Sequence, residues 1–357
     1  MLVGRINYLF KKFREKAKYH NATRNIDVWV FGEWFGNRAC DNSLYLANYI
    51  ADFHPEISIF WVAKKEIDSS LLSSKVKVLS MDDNKTIDVL NNAGVAIMNQ
   101  GLGDFSSDAV NYFSGAVTVN LWHGLMWKKI NFDATGHLGV LANLHHKILA
   151  KLEEAEWYLT SSPEISKIIK TAFCTKERKM IRAGYPRNSI FYDKNKIQLC
   201  RKKVLLNLDL PENAKIITYM PTFRDKTNDV FSFEKLIDNQ ELNTLLEKSN
   251  AYIVEKSHFI SAERSDKCNA KKNQNRIKFL NNIGATELLA ASDMLITDYS
   301  SCFFDYLILN RPIIHFIYDY DYYVNNDRGV YYTKEEVACG KTPETVEELM
   351  LAIEEYL

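Results

Sequence analysis

From Ile26 onward the chain alternates short apolar, β-rich runs with longer amphipathic ones, and this alternation restricts the fold more than any other feature. "IDVWVFG", "ISIFWVA", "VKVLS", "GVAIMNQ", "AVTVNLWHG" and "WYLTSS" read as strands buried on both faces. Between them "DNSLYLANYIADF", "TIDVLNNA" and "HLGVLANLHHKILAKLEEA" carry helical spacing. Strand and helix in repetition predict a parallel sheet covered by helices. A second series follows the charged stretch "YDKNKIQLCRKKVLLNLDLPENA", which reads as the region joining two domains. Its strands are "KIITYMP", "AYIVEKS", "RIKFL", "MLITDYS" and "PIIHFI", and its helices include "SFEKLIDNQELNTLLEKS", "ATELLAAS", "SCFFDYLILN" and "TVEELMLAIEEYL". The expected architecture is α/β, with two Rossmann-like domains at 26–195 and 196–357 behind a basic amphipathic helix at 1–25. Ligands of such sheets sit at the carboxyl ends of the strands, so the expected site is a cleft between the two domains.

The 357 residues carry 45 basic and 45 acidic side chains, so nothing global favours nucleic acid and any anion site must be local. Six scattered cysteines without a C-x-x-C pair read as reduced packing residues of a cytoplasmic protein. No apolar run approaches the roughly 20 residues of a membrane span, and the N-terminus lacks the apolar core of a signal peptide. In residues 1–20, Leu2, Ile6, Leu9, Phe10, Phe13 and Ala17 share one helical face, with six Lys and Arg side chains around them. That pattern fits a helix on an anionic membrane surface, and equally a helix packed on its own protein with a solvated basic face.

The chemically capable residues gather where strands end. "WHG" follows "AVTVNL", "GYPRN" follows "KMIRA", "PTFRD" follows "KIITYM", "KSHF" follows "AYIVE", and "TDYSS" follows "DMLI". In the last, Thr297, Asp298, Ser300 and Ser301 precede a helical run, where free N–H groups and hydroxyls favour a phosphate. Helix capping by Asp298 or Ser300 is the plainer alternative. His123 and His258 each suit general base or electrostatic roles, and either one alone reads equally as a structural histidine. Lys128, Lys129, Arg187 and Arg224 are candidate cations for an anionic ligand, or solvated charges. In the Tyr-rich stretch from Tyr318 to Tyr332, Asp319 and Asp321 are conceivable ligands, but a capping loop is the simpler reading. No metal motif, phosphate-binding glycine loop or dinucleotide fingerprint is found, and no metal or cofactor is expected.

Taken together, "WHGLMWKKINFD", "GYPRNSIF", "YMPTFRD" and "LITDYSSCFFDYLILNRPIIHFIYDYDYY" with a following "RGVYY" resemble the CDP-glycerol glycerophosphotransferase family, which makes teichoic acids and related poly(alditol phosphate) polymers. The resemblance runs from about Asp27 to near Tyr332. It implies a GT-B fold and a peripheral enzyme on the cytoplasmic membrane face that transfers an alditol phosphate from a CDP-alditol to a hydroxyl of a lipid-linked or polymer acceptor, releasing CMP, in wall or capsule polymer synthesis. It also implies that His123, beside Gly124, and His258 are the functional histidines. The donor would be held mainly by the C-terminal domain, with Thr222, Thr297, Asp298, Ser300, Ser301 and Asp305 among the matching positions. Two other readings stay open: a GT-B glycosyltransferase that releases a nucleoside diphosphate from a sugar donor, and a membrane-docked polymer-binding protein without turnover.

Overall fold

Among the described residues, two all-parallel sheets organise the chain, seven strands in the first and five in the second. The computed structural model describes residues 23–106, 109–134, 140–222, 224, 230–256, 276–327 and 329–357. The expected N-terminal helix and His258 lie outside the described residues.

In the first sheet, β1 (Asn25–Phe31), β2 (Ser58–Ala63), β3 (Lys77–Ser80), β4 (Ala93–Met98), β5 (Val117–Asn120), β6 (Trp157–Thr160) and β7 (Met180–Arg182) stand in the order β3-β2-β1-β4-β5-β6-β7. All six residues of the central strand β4 are buried, which is why its sequence is apolar without alternation. Gly94 is required at the contact with β1, because a Cβ there would stand 2.5 Å from the carbonyl oxygen of Asn25. The main covering helices are α1 (Asn42–Phe53), α2 (Asn84–Asn92), α3 (Val140–Leu152) and α4 (Pro163–Ala172). Three of them have a local reason to start where they do: Asp41 caps α1, Asp83 caps α2, and Ser162 caps α4 with Pro163 in its first turn.

The charged stretch expected to join two domains is instead α5 (Lys194–Asn207), which buries Cys200, Val204 and Leu205 within the second unit. The second sheet contains β8 (Lys215–Met220), β9 (Ala251–Glu255), β10 (Ile277–Phe279), β11 (Met294–Thr297) and β12 (Ile313–His315), in the order β10-β9-β8-β11-β12. α6 (Gln240–Lys248), α7 (Ala285–Ala291), α8 (Cys302–Tyr306), α9 (Tyr320–Asn326) and α10 (Val346–Tyr356) accompany it. Its core joins Ile217, Tyr219, Ile253 and Ile296 of the strands to Leu242, Leu246, Leu349 and Ile353 of α6 and α10.

The first compact unit takes the chain up to His123 and then Asn131–Ser189, and the second takes Gly124–Ile130 and Ile190–Leu357. This differs from a single division at 195/196 because seven residues after His123 belong to the second unit. Trp127 is the reason: its indole is buried, donates to the carbonyl of Tyr332 at 2.9 Å, and meets the rings of Tyr299, Phe303 and His315. Lys129 N donates to Gly329 O at 3.0 Å, and Tyr331 N donates to Trp127 O at 2.8 Å. The segment is thus bonded into the second unit along its length.

Candidate active site

The strand order of each sheet reverses once, between β1 and β4 in the first and between β8 and β11 in the second. Doubly wound sheets bind ligands outside the strand ends at such a reversal.

In the first unit that position is filled by the chain itself. Glu33, at the end of β1, is fully buried and accepts from the backbone N–H groups of Cys40 and Asp41 at the start of α1, the latter at 2.8 Å. A carboxylate of the protein therefore sits on the helix terminus where a phosphate would be held. Burial first, and then neighbouring Asp41, push the Glu33 carboxyl well above the usual carboxylate range. Asp104 closes the other side by accepting from Phe35 N at 2.8 Å and from Asn99 N and Gln100 N, both at 2.9 Å.

His123 lies two strands away, just past the end of β5, on a turn held from several directions. Trp122 takes φ +56° and Gly124 φ +126°; the left-handed region is an uncommon place for a tryptophan and persists only where the surroundings impose it. Asn120 Oδ1 accepts from Trp122 N at 2.8 Å, and Asn42 Nδ2 donates to Trp122 O at 2.8 Å. Arg187 Nη1 donates both to the carbonyl of His123 at 2.8 Å and to Asp41 Oδ1 at 2.7 Å, while its backbone N–H donates to Asn42 Oδ1 at 3.1 Å. The half-buried imidazole stands against the ring of Trp122 at 4.1 Å and that of Trp34 at 5.6 Å.

In the second unit, the loops after β8 and β11 meet directly. Asp298 is buried and accepts from Thr222 N at 2.8 Å and from Arg224 Nη1 at 2.9 Å. Arg224, fully buried, reaches Asp319 as well, with Nε and Nη2 on its two carboxylate oxygens at 2.9 and 3.0 Å. Burial alone would lower this guanidinium, but Asp298 and Asp319 outweigh it and hold the charge firmly in place. The guanidinium also lies over the rings of Tyr299 and Tyr323, 4.9 and 5.0 Å from their centres, and the Tyr299 hydroxyl donates to Asp319 at 2.9 Å.

Neither arginine is therefore the open cation expected from the sequence: Arg187 and Arg224 are buried in ion pairs that fix loops. Asp298 is likewise committed to the loop junction, and Thr297 donates its hydroxyl to Met220 O at 2.7 Å. Three hydroxyls differ. The buried Thr222 Oγ1 has no hydrogen-bond partner among the described residues, Ser301 makes no capping hydrogen bond, and Ser300 accepts a long 3.4 Å bond from Cys302 N and meets the Cys302 thiol. Asp305 is buried on α8, whereas Lys128 and Lys129 are half-buried in the segment that carries Trp127. The structure thus brings Thr222, Arg224 and the Thr297–Ser301 stretch together in the second unit, and His123 and Arg187 in the first. Sequence reasoning missed Glu33, Asp41 and Asn42, and it named Asp319 as a conceivable ligand where the structure makes it a partner of Arg224. A charge in sequence does not reveal its distant partner.

The family profile described as CDP-Glycerol:Poly(glycerophosphate) glycerophosphotransferase matches residues 16–357. Among curated proteins, a teichoic acid poly(glycerol phosphate) polymerase of Bacillus spizizenii is 32% identical over 243 residues, covering 66% of this chain and 60% of its own length. The polymerase of the same name from Bacillus subtilis is 28% identical over 335 residues, or 91% of this chain and 43% of that protein. A teichoic acid glycerol-phosphate transferase of Staphylococcus aureus is 26% identical over 322 residues, 87% of this chain and 79% of its own. The chain thus spans about half the length of the two Bacillus polymerases. The solved structure of the wall teichoic acid polymerase TagF superposes with a TM-score of 0.79 at 22% identity, covering 99% of this chain and 87% of that one. That likeness speaks for the fold, which is of the GT-B type.

Proposed function

The chain belongs to the CDP-glycerol:poly(glycerophosphate) glycerophosphotransferase family, and from that premise we propose that it transfers glycerol phosphate, or a related alditol phosphate, from a CDP-alditol to an acceptor hydroxyl in the synthesis of a teichoic acid-like polymer. The observation that carries the assignment of the donor to the second unit is the contrast between the two sheet reversals. The first is plugged by Glu33 and Asp104, while at the second Thr222, bonded through its N–H to Asp298, keeps a hydroxyl without a partner among the described residues, and Ser301 makes no capping bond.

In the proposed reaction the acceptor oxygen attacks the phosphorus that bears the alditol. Its bond to the oxygen bridging to the CMP phosphate breaks, and CMP leaves with that oxygen. His123 takes the acceptor proton, a role suited to an imidazole, which titrates near neutral pH. Thr222, Ser300 and Ser301 donate to donor phosphate oxygens, and Arg224 holds the loops that present them. His258, outside the described residues, is proposed as a second group at the phosphates. The acceptor is proposed to be lipid-linked or a growing polymer, reached from the cytoplasmic membrane face through residues 1–20. No helix among the described residues is long and apolar enough to cross a membrane.

The test is nucleotide release by purified protein supplied with CDP-glycerol, CDP-ribitol or nucleotide sugars and a lipid-linked acceptor extract. CMP from one CDP-alditol, reduced about 100-fold or more in His123→Ala, is expected for loss of a general base. A nucleoside diphosphate from a sugar donor, or undiminished turnover in a folded His123→Ala protein, overturns the reading.

A further inference from the structure

Arg187 was expected to touch substrate, yet its charge is spent inside the first unit, and what it holds is the main chain of His123. Three observations converge on that turn. Trp122 is left-handed, so the backbone there needs external restraint. The two consecutive carbonyls that follow from this conformation, those of Trp122 and His123, each have a dedicated side-chain donor, Asn42 and Arg187. Those donors are themselves locked together, because Arg187 N donates to Asn42 Oδ1 and Arg187 Nη1 donates to Asp41 Oδ1. Asp41 also accepts from Asn42 N at 2.8 Å, so the start of α1 and the residue after Pro186 form one buried clamp. Asp41 is anchored in turn by its own N–H on Glu33.

We propose that Asp41, Asn42 and Arg187 are positioning residues that set the direction of the His123 imidazole through its backbone, without contacting donor or acceptor. The proposal rests on the reading of His123 as the acceptor base. The clamp grips both carbonyls of the dipeptide whose rings meet edge to face, so releasing it frees the Trp122–His123 turn to leave the left-handed region. The ring would then lose its register against Trp34 and Trp122. A contact to substrate by Arg187 would instead need an exposed guanidinium, and its side chain is 9% exposed.

The experiment follows the imidazole itself. In full-length protein labelled in its histidine rings, the His123 resonance is identified by its loss in His123→Ala and then followed in Arg187→Met, Arg187→Lys and Asp41→Asn, alongside CMP release from CDP-glycerol with an acceptor extract. Arg187→Met is expected to move the His123 signal and its titration midpoint, and to lower kcat at least tenfold, while KM for CDP-glycerol stays within twofold. Arg187→Lys, which keeps a cation beside Asp41, is expected to restore part of kcat. Asp41→Asn keeps the shape of the site and is read the same way if Arg187→Met does not fold. An unmoved His123 signal in the folded variants overturns the proposal, as does a raised KM for CDP-glycerol with kcat intact. If His123→Ala retains turnover while Arg187→Met still moves the ring, the base reading falls and the positioning of the ring stands.

Discussion

Arg224 and Asp298 meet at 2.9 Å with essentially no solvent at either side chain, and the pair joins the loop after β8 to the loop after β11. Asp319 completes the cluster from the chain that follows β12. Removing the cation leaves the buried carboxylate of Asp298 and the half-buried one of Asp319 without it. Arg224→Met is therefore expected to cost about 3–5 kcal/mol, measured by denaturant unfolding of the second unit. Arg224→Lys is expected to recover only part of this, because an ammonium cannot serve both oxygens of Asp319 and Asp298 with one planar fork.

Thr222 offers the opposite test. Its hydroxyl is buried and has no protein partner among the described residues, so Thr222→Val removes nothing the fold uses. Stability is expected to stay within about 1 kcal/mol or to rise. KM for CDP-glycerol is expected to rise roughly tenfold, equivalent to the 1–1.5 kcal/mol of one hydrogen bond to a phosphate oxygen. Steady-state kinetics with unchanged KM would remove Thr222 from the donor site.

His315 gives the second unit a pH dependence whose sign is fixed by burial. The ring packs against Trp127 and Phe303 and accepts from Cys339 N, and burial lowers its pKa to about 4 although Asp298 pulls the other way. Below the ordinary value of 6.5 an unfolded chain binds a proton that the native ring refuses, so this contribution to stability is full above that pH and lost as pH falls toward 4. The loss amounts to about 3 kcal/mol across that window. Denaturant midpoints measured from pH 7.5 to 4.5 are expected to fall less steeply in His315→Gln than in the wild type.

Trp127 anchors the segment that follows the His123 turn. Trp127→Ala is expected to destabilise the second unit by about 3–5 kcal/mol through the cavity it leaves. Trp127→Phe, which fills most of the space but loses the N–H donated to Tyr332 O, is expected to cost about 1–3 kcal/mol. Equal stabilities for the two variants would contradict the packing described for the indole.

Much of this architecture was legible in the sequence because parallel strands buried on both faces write themselves as unbroken apolar runs, as in Ala93–Met98. The strand-end clusters were legible for the same reason, since polar residues directly after such runs fall on one edge of the sheet. What resisted reading were the partners of charges. Arg187 finds Asp41 across 146 residues and Arg224 finds Asp319 across 95, distances over which local pattern carries no signal. The helix Lys194–Asn207 was hidden too: only Cys200, Val204 and Leu205 are buried, while Leu199 and Leu206 face solvent, so its periodicity is blurred. The passage of Gly124–Ile130 into the second unit was equally unreadable, because it depends on where one indole finds room.

That passage makes the two units hard to exchange as modules. The chain crosses from one to the other after His123, returns at Asn131 and crosses again after Ser189. A fragment ending at Ser189 carries a strap whose tryptophan has lost its socket, and a fragment beginning at Ile190 keeps the socket beside His315 and Tyr299 without its plug. A recombinant that joins halves of two relatives between Ser189 and Ile190 must therefore also match the strap to its new host. The residues just beyond the histidine belong structurally with the unit they are built into, not with the one that precedes them in the chain.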